Sequence, residues 1–200
     1  MEPAQGARVR AELLPRLLEL ALAAKSGAIG LTIDAEEAAR LDLTLDLFAA
    51  LCAEPTLAGW EGLGIAVQAY QRRALGAIEL IADLAERHGR RVLVRLVKGA
   101  YWDSEIKWAQ QQGLPSYPVY TRKAHTDLSY LVCAQRLLAQ GPRLHPQLAT
   151  HNAHTVAAIL ELAGDRRCGR SPTGSSTCSR VPWRSCGSGT PGTWPPTSGP

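Results

Sequence analysis

The feature that most constrains the fold is an alternation of strand-like and helix-like segments, repeated four times at a spacing of about thirty residues. Short apolar runs predict strands at 28–33, 62–70, 91–97 and 148–150. Apolar residues recur at helical spacing in the segments between and around them, at 9–25, 36–52, 73–87, 103–112, 128–140 and 154–164. Because each crossover is long enough to return the chain to a parallel neighbour, the pattern predicts a parallel α/β fold.

Polar side chains follow each predicted strand at the end where it leaves the sheet. They are Asp34, Gln68, Arg95 with Lys98, and Thr150 with His151. The carboxyl ends of parallel strands lie at one edge of the sheet, where loops are free to bind ligands. The sequence therefore predicts that these side chains share one site.

Arg95 interrupts an apolar run that is typical of a strand buried on both faces. A buried guanidinium needs an acceptor to offset a desolvation cost of several kcal/mol, roughly. Two interpretations are open at this point. Arg95 either pairs with a carboxylate in the core or supplies positive charge to a ligand group that becomes negative during a reaction.

The charge is unevenly distributed along the chain. Residues 1–163 hold 17 Lys and Arg against 17 Asp and Glu, and residues 164–200 hold 5 Arg and one Asp. A neutral body argues against nucleic acid as its partner. No apolar run reaches the ~18 residues that cross a bilayer, and the N-terminus has no apolar signal core, so we expect a cytoplasmic protein.

Residues 164–200 differ in composition from the rest of the chain. They are rich in Ser, Gly, Pro, Thr and Arg and contain no Leu, Ile or Ala. Such a segment cannot bury enough apolar surface to fold, so we expect a disordered tail after a domain at 1–163. A flexible linker is one interpretation. The favoured interpretation is an off-frame translation, because codons can be chosen for residues 171–186 such that the neighbouring reading frame encodes a sequence resembling the next strand of the family described below.

Four motifs carry a resemblance to a known family: LTIDAEE at 31–37, RLVKGAYWD at 95–103, TRK at 121–123 and ATHNAHT at 149–155. Together they resemble the proline dehydrogenase domain of bacterial bifunctional proline-utilisation flavoenzymes, from about Leu13 to Gly164. The resemblance implies an incomplete (β/α)8 barrel with about four central βα units, since 200 residues are fewer than the ~250 of a complete barrel.

The resemblance also implies an activity and its partners. The family oxidises L-proline to 1-pyrroline-5-carboxylate by hydride transfer from C5 to N5 of FAD, the first step of proline catabolism to glutamate. Electrons then pass to a membrane quinone, so the family is cytoplasmic or peripheral on the inner membrane. A fused aldehyde dehydrogenase domain completes the oxidation in bifunctional members.

Site residues are implied by the same motifs. Arg95 matches the arginine near flavin N5, Asp34 a carboxylate on the polar side of the substrate, and Tyr101 an aromatic between substrate and flavin. These three are the expected catalytic residues, although Tyr101 and Trp102 could also simply fill the core. The residues expected to bind the cofactor are Gln68, Arg95, Val97, Lys98, Gly99, Ala100, Trp102, Thr121, Lys123, Thr126, Thr150, His151 and Asn152.

Two family segments are not matched in this chain. One is a first strand with a substrate-pocket lysine, and the other is a late helix with a tyrosine and two arginines that bind the substrate carboxylate. We therefore expect the chain to retain much of the flavin site but to have weak or no activity alone.

Other classes of protein are left open by the residues. His151 and His154 could form a metal pair with Asp34 or His145 as third ligand, although the resemblance implies no metal. The chain could also be a different phosphate- or metal-dependent α/β enzyme, or a non-catalytic fragment. Asn152 is also expected to cap the helix that follows it.

Overall fold

The computed structural model describes residues 3–165 and contains one sheet of four parallel strands in the order β1-β2-β3-β4. The strands are β1 (Leu31–Ile33), β2 (Leu63–Gln68), β3 (Val92–Val97) and β4 (Leu144–Leu148). Sequential strands are neighbours and helices lie between them, so the predicted parallel α/β fold is confirmed. The prediction of a disordered tail falls outside the described residues, apart from Gly164 and Asp165 at the end of the last helix.

Six α-helices are present in the described part of the chain. They are α1 (Pro3–Ser26), α2 (Leu41–Ala53), α3 (Ala74–Arg87), α4 (Trp102–Gln111), α5 (Lys123–Ala139) and α6 (Ala153–Asp165). Single 3-10 turns precede α2, follow α2 and precede β4, at Ala38–Arg40, Pro55–Leu57 and Gly141–Arg143. In this part of the chain, no helix combines the length and the apolar character that a membrane span requires.

The core lies between one face of the sheet and the helices. In β3, Val92, Val94 and Leu96 are fully buried and pack in this core. Their neighbours Leu93, Arg95 and Val97 are only half-buried on the opposite face. The prediction that this strand is buried on both faces is therefore wrong for the described residues. The second face is the one that a closed barrel would turn towards its interior.

Two strands differ from their predicted positions for local reasons. β4 lies at Leu144–Leu148 and not at 148–150. Pro146 is tolerated within this strand because the strand has only one neighbour in the described sheet. β1 begins at Leu31 and not at residue 28. Ala28 has a positive φ of 52°, and the Ile29 amide donates to the Ala24 carbonyl, so both residues belong to the C-terminal cap that follows α1.

Two helices begin several residues earlier than predicted. α1 starts at Pro3 and contains Pro15, which was expected in a first turn. α5 starts at Lys123 rather than near residue 128, which places Lys123, Thr126 and Asp127 on its first two turns. This second difference matters for the site, because the start of α5 forms one of its walls.

Candidate functional site

A cavity of about 670 Å³ lies at the carboxyl ends of the four strands. Its lining comes from the ends of β2 and β3 and from the loops that follow β1, β3 and β4. The lining residues are Asp34, Ala35, Gln68, Arg95, Val97, Lys98, Gly99, Ala100, Tyr101, Lys123, Ala149, Thr150, His151 and Asn152. The polar residues that follow each predicted strand therefore share one cavity, as expected from a parallel sheet.

A second cavity of about 420 Å³ adjoins the first and shares Lys98, Gly99 and Lys123 with it. Its lining residues are Tyr70, Lys98, Gly99, Trp102, Tyr120, Thr121, Lys123, Thr126 and Asp127. Every residue that was predicted from the sequence to act in catalysis or cofactor binding lines at least one of these two cavities. The structure thus brings these residues together, while the role of each one stays a prediction.

Arg95 pairs with Asp34 across the first cavity, with 2.7 Å between Nη2 and Oδ1. Partial burial would raise the Asp34 pKa, but the Ala35 amide and the Arg95 guanidinium outweigh that effect and hold the pKa below its ordinary value. The carboxylate is 75 % exposed and belongs to the cavity rather than to the core. Arg95 therefore pairs with a carboxylate in the cavity and not with one in the core, and its role towards a ligand stays a prediction.

Arg95 retains N–H donors for a ligand, since its side chain is 39 % exposed and its one side-chain hydrogen bond among the described residues runs from Nη2 to Asp34. Its Nε is buried and has no hydrogen-bond partner among the described residues. A buried donor without an acceptor costs about 1–3 kcal/mol. Because burial also shields this N–H from a ligand, the remaining guanidinium N–H groups are the donors available to a bound molecule.

Gln68 connects two of the loops that form the cavity. Its Nε2 donates to the Glu36 carbonyl at 2.8 Å, and its Oε1 accepts from the Ala100 amide at 3.0 Å. The side chain is only 3 % exposed. Gln68 is predicted to bind the cofactor, and in the structure its two hydrogen bonds fix the loops after β1 and β3.

Gly99 packs against an aromatic ring of the protein itself. Its φ is 150°, and a Cβ at this position would lie 2.3 Å from Cγ of Tyr70. Gly99 is one of the residues predicted to bind the cofactor. The described structure gives a reason for glycine at this position, since Tyr70 fills the space that a side chain would need.

Tyr101 and Trp102 lie at the mouth of the cavities. Negative charge on Glu36, followed by partial burial and by Glu37 and Asp34, raises the Tyr101 pKa, so this phenol keeps its proton at neutral pH. Trp102 is 43 % exposed, and its Nε1 donates to the Tyr120 carbonyl at 2.9 Å. The alternative that Trp102 fills the core is therefore wrong in this structure.

The loop after β4 both caps helix α6 and lines the first cavity. Asn152 Oδ1 accepts from the Thr155 amide at 3.0 Å, which confirms it as the cap of α6. Thr150 Oγ1 accepts from the Asn152 amide at 3.2 Å. Within residues 3–165, no three His, Cys, Asp or Glu side chains are grouped as a metal site would require, so nothing there supports the metal pair of His151 and His154.

Several lining residues were not identified from the sequence, and Asp127 is the most informative of them. It contacts Lys98, and its Oδ2 lies 2.5 Å from Nζ of Lys123. The two lysines, Lys123 first, lower the Asp127 pKa. The spacing of Lys123 and Asp127, four residues apart, would have signalled part of this cluster if α5 had been predicted to begin at Lys123. Tyr70, Tyr120, Ala35 and Ala149 were also missed.

The family profile described as proline dehydrogenase matches residues 1–173. The chain belongs to the proline dehydrogenase family. The match extends beyond residue 163, where the sequence predicts the end of the domain, and that domain boundary stays a prediction. Among curated relatives, the bifunctional protein PutA of Salmonella typhimurium is 60 % identical over 161 residues, covering 80 % of this chain and 12 % of that protein. Hydroxyproline dehydrogenase of Bos taurus is 32 % identical over 151 residues, covering 72 % of this chain and 32 % of that protein.

Solved structures of proline dehydrogenase family members have the same fold. A structure of PutA with proline bound in remote sites has a TM-score of 0.79 and 57 % identity, over 80 % of this chain and 16 % of that one. PutA from Bdellovibrio bacteriovorus, inactivated by N-propargylglycine, has a TM-score of 0.78 and 34 % identity, over 80 % of this chain and 17 % of that one. The four-stranded sheet is thus part of a barrel-like proline dehydrogenase fold, and the chain spans about an eighth of the bifunctional relatives that it matches.

Proposed function

We propose that this chain contributes the flavin-binding part of an enzyme that oxidises L-proline to 1-pyrroline-5-carboxylate. The observation that carries the proposal is the cavity at the strand ends, in which Arg95 faces Asp34 and keeps exposed N–H donors without a partner among the described residues. Flavin dependence is known for the proline dehydrogenase family, and the chain carries that family's motifs at this cavity.

The residues present fit FAD in both charge and shape. The first cavity offers a guanidinium and aromatic and apolar side chains for a ring system, and the second offers hydroxyls and ammonium groups for a diphosphate. Lys98, Gly99 and Lys123 line both, so one extended molecule can pass from one cavity to the other. When bound, FAD would supply the hydride acceptor for C5 of proline.

The side chains of the cavity have distinct roles in this proposal. Arg95 would place positive charge beside the ring of bound FAD, where it would favour the reduced form, and Asp34 holds Arg95 in position. Asp34 is also the carboxylate available to the amine of proline. Tyr101 keeps its phenol proton and forms the wall of the cavity between substrate and flavin.

The wider partners follow the relatives and are also proposals. We propose quinone as the electron acceptor and the cytoplasm as the location, with peripheral contact at the inner membrane. The curated PutA relatives are bifunctional proteins, and we propose that a fused aldehyde dehydrogenase activity consumes the product in the parent enzyme.

Titration of the purified 200-residue chain with FAD, followed by flavin fluorescence, tests the proposal. We expect saturable binding that Arg95→Met weakens about tenfold, since a charged contact to the ring is lost. Arg91→Met is the matched control, because Arg91 is exposed, pairs with Glu61 and lies at the opposite end of the same strand. Equal binding by both variants, or no binding by the unaltered chain, would contradict the proposal.

Proline-dependent reduction of a dye by the FAD-loaded chain measures turnover. We expect weak or no activity, because the four described strands leave the inner face of the sheet open to water. Fast turnover would show that this chain alone forms a complete active site.

A further inference from the structure

We propose that Asp127 is a positioning residue that holds Lys98 and Lys123 together at the junction of the two cavities, where they bind a diphosphate group. This inference rests on the proposed function for the identity of its ligand, the diphosphate of FAD. It adds a role for a carboxylate that the proposed chemistry does not use.

The contacts that fix this arrangement converge on one carboxylate. Asp127 Oδ1 contacts Lys98 Nζ, and Oδ2 lies 2.5 Å from Lys123 Nζ. Lys98 follows β3, while Lys123 and Asp127 are one turn apart on α5. The carboxylate thus ties a strand end to the start of a helix, and both lysines line both cavities.

Lys98 is also held from a second side. Its Nζ lies 5.9 Å from the centre of the Tyr130 ring, a distance suited to a cation–π contact. Tyr130 is fully buried on α5, and its hydroxyl donates to the Ala149 carbonyl at 3.2 Å. Asp127 and Tyr130 are three residues apart and lie on the same side of α5, so this helix face determines where the ammonium sits.

The cluster leaves donors for an anion. An ammonium has three N–H groups, and Asp127 accepts one from each lysine, so each retains up to two. Thr121 and Thr126 line the same cavity with hydroxyls. Two cations beside one carboxylate keep a net charge of +1, and fixing them in advance reduces the ordering cost when a diphosphate binds.

The sign of one substitution separates positioning from simple charge. If Asp127 only repelled phosphate, Asp127→Asn would tighten binding, because it removes a negative charge. If Asp127 positions the lysines, the same change weakens binding, because two flexible ammonium groups must then be ordered by the ligand. Asp127→Glu keeps the charge and is expected to restore part of the affinity.

The experiment compares the unaltered chain with Asp127→Asn, Asp127→Glu and the control Asp83→Asn, an exposed acid on α3 that lines neither cavity. FAD and riboflavin are titrated separately, with circular dichroism to confirm folding. We expect Asp127→Asn to weaken FAD binding about tenfold and riboflavin binding less than twofold, since riboflavin has no phosphate. Equal loss for both flavins, or tighter FAD binding, would overturn the inference.

A flavin-free measurement keeps the two proposals distinct. Labelling of lysine amines by an acylating reagent, read by mass spectrometry, is compared with and without inorganic pyrophosphate. We expect pyrophosphate to protect Lys98 and Lys123 in the unaltered chain and in Asp83→Asn, and to protect them less in Asp127→Asn. If this pattern holds but FAD does not bind, the flavin proposal fails and the positioning role stands. Without protection in the unaltered chain, the positioning role is wrong.

Discussion

At the scale of single residues, the junction between the cavities depends on a position that tolerates no side chain. Gly99 follows β3 and adopts a φ of 150°, which residues other than glycine rarely adopt. The Tyr70 ring lies directly against it, and both residues line the second cavity. Packing of the protein on itself and shaping of the site therefore constrain the same residue.

Gly99→Ala is expected to destabilise the chain by about 2 kcal/mol or more, from backbone strain and from the clash of the new Cβ with Tyr70. Urea unfolding followed by circular dichroism measures the change. Gly76→Ala is the matched control, since Gly76 lies in α3 with open space around it. We expect that variant to be more stable by about 0.5–1 kcal/mol. A Gly99→Ala variant as stable as the unaltered chain would show that Tyr70 moves freely.

At the scale of secondary-structure elements, two cations hold the connection from α2 to β2, which contains a single 3-10 turn at Pro55–Leu57. Arg90 donates to the carbonyls of Cys52, Glu54 and Leu57 at 2.5–2.7 Å. Lys25, at the end of α1, donates to the carbonyls of Thr56 and Ala58 at 2.7 and 3.0 Å. These contacts satisfy carbonyls at the end of α2 and in the following turn.

Replacement of Arg90 by lysine keeps the charge but loses the planar fork that reaches three carbonyls. We expect Arg90→Lys to cost about 2 kcal/mol, because at least one partly buried hydrogen bond to a charged donor is lost. Arg87→Lys, an exposed change in the last turn of α3, is expected to stay within about 0.5 kcal/mol. Thermal unfolding of both variants compares them. Equal melting temperatures would contradict the structural role assigned to Arg90.

At the scale of the whole molecule, the sheet has two strands with one neighbour each in the described residues. β1 pairs only with β2, and β4 pairs only with β3. Unpaired strand edges are templates for another chain, and Leu93 and Val97 on the inner face are only half-buried. The isolated chain therefore presents surfaces that favour self-association.

We expect the purified chain to associate as its concentration rises, with Thr32→Lys shifting it towards monomer. Thr32 lies in the middle of β1 on the inner face, where a lysine opposes pairing at an edge. Gln111→Lys adds the same charge on the exposed surface of α4 and is expected to change nothing. Size-exclusion chromatography with light scattering over a concentration series gives the masses. A chain that is monomeric throughout would contradict this expectation.

Periodicity alone determined much of the fold. The apolar runs around Ile65 and Val94 and the helical spacing around Ile78 specified strands, helices and a parallel sheet, because side-chain periods are local properties of the chain. The polar residues that follow each strand were brought together by one rule of parallel sheets. The motif resemblance then identified the family and supplied the expected site residues.

Tertiary structure decided what depends on contacts between distant segments. Three contacts of the site join residues that are 29 to 61 positions apart in the sequence. They are the ion pair of Arg95 with Asp34, the packing of Gly99 against Tyr70 and the contact of Lys98 with Asp127. The half-buried inner face of β3 also depends on tertiary structure. A run of branched apolar residues has the same sequence pattern whether one face of the strand is covered or both are. A local pattern records which residues prefer burial, and only the packed chain fixes which atoms meet.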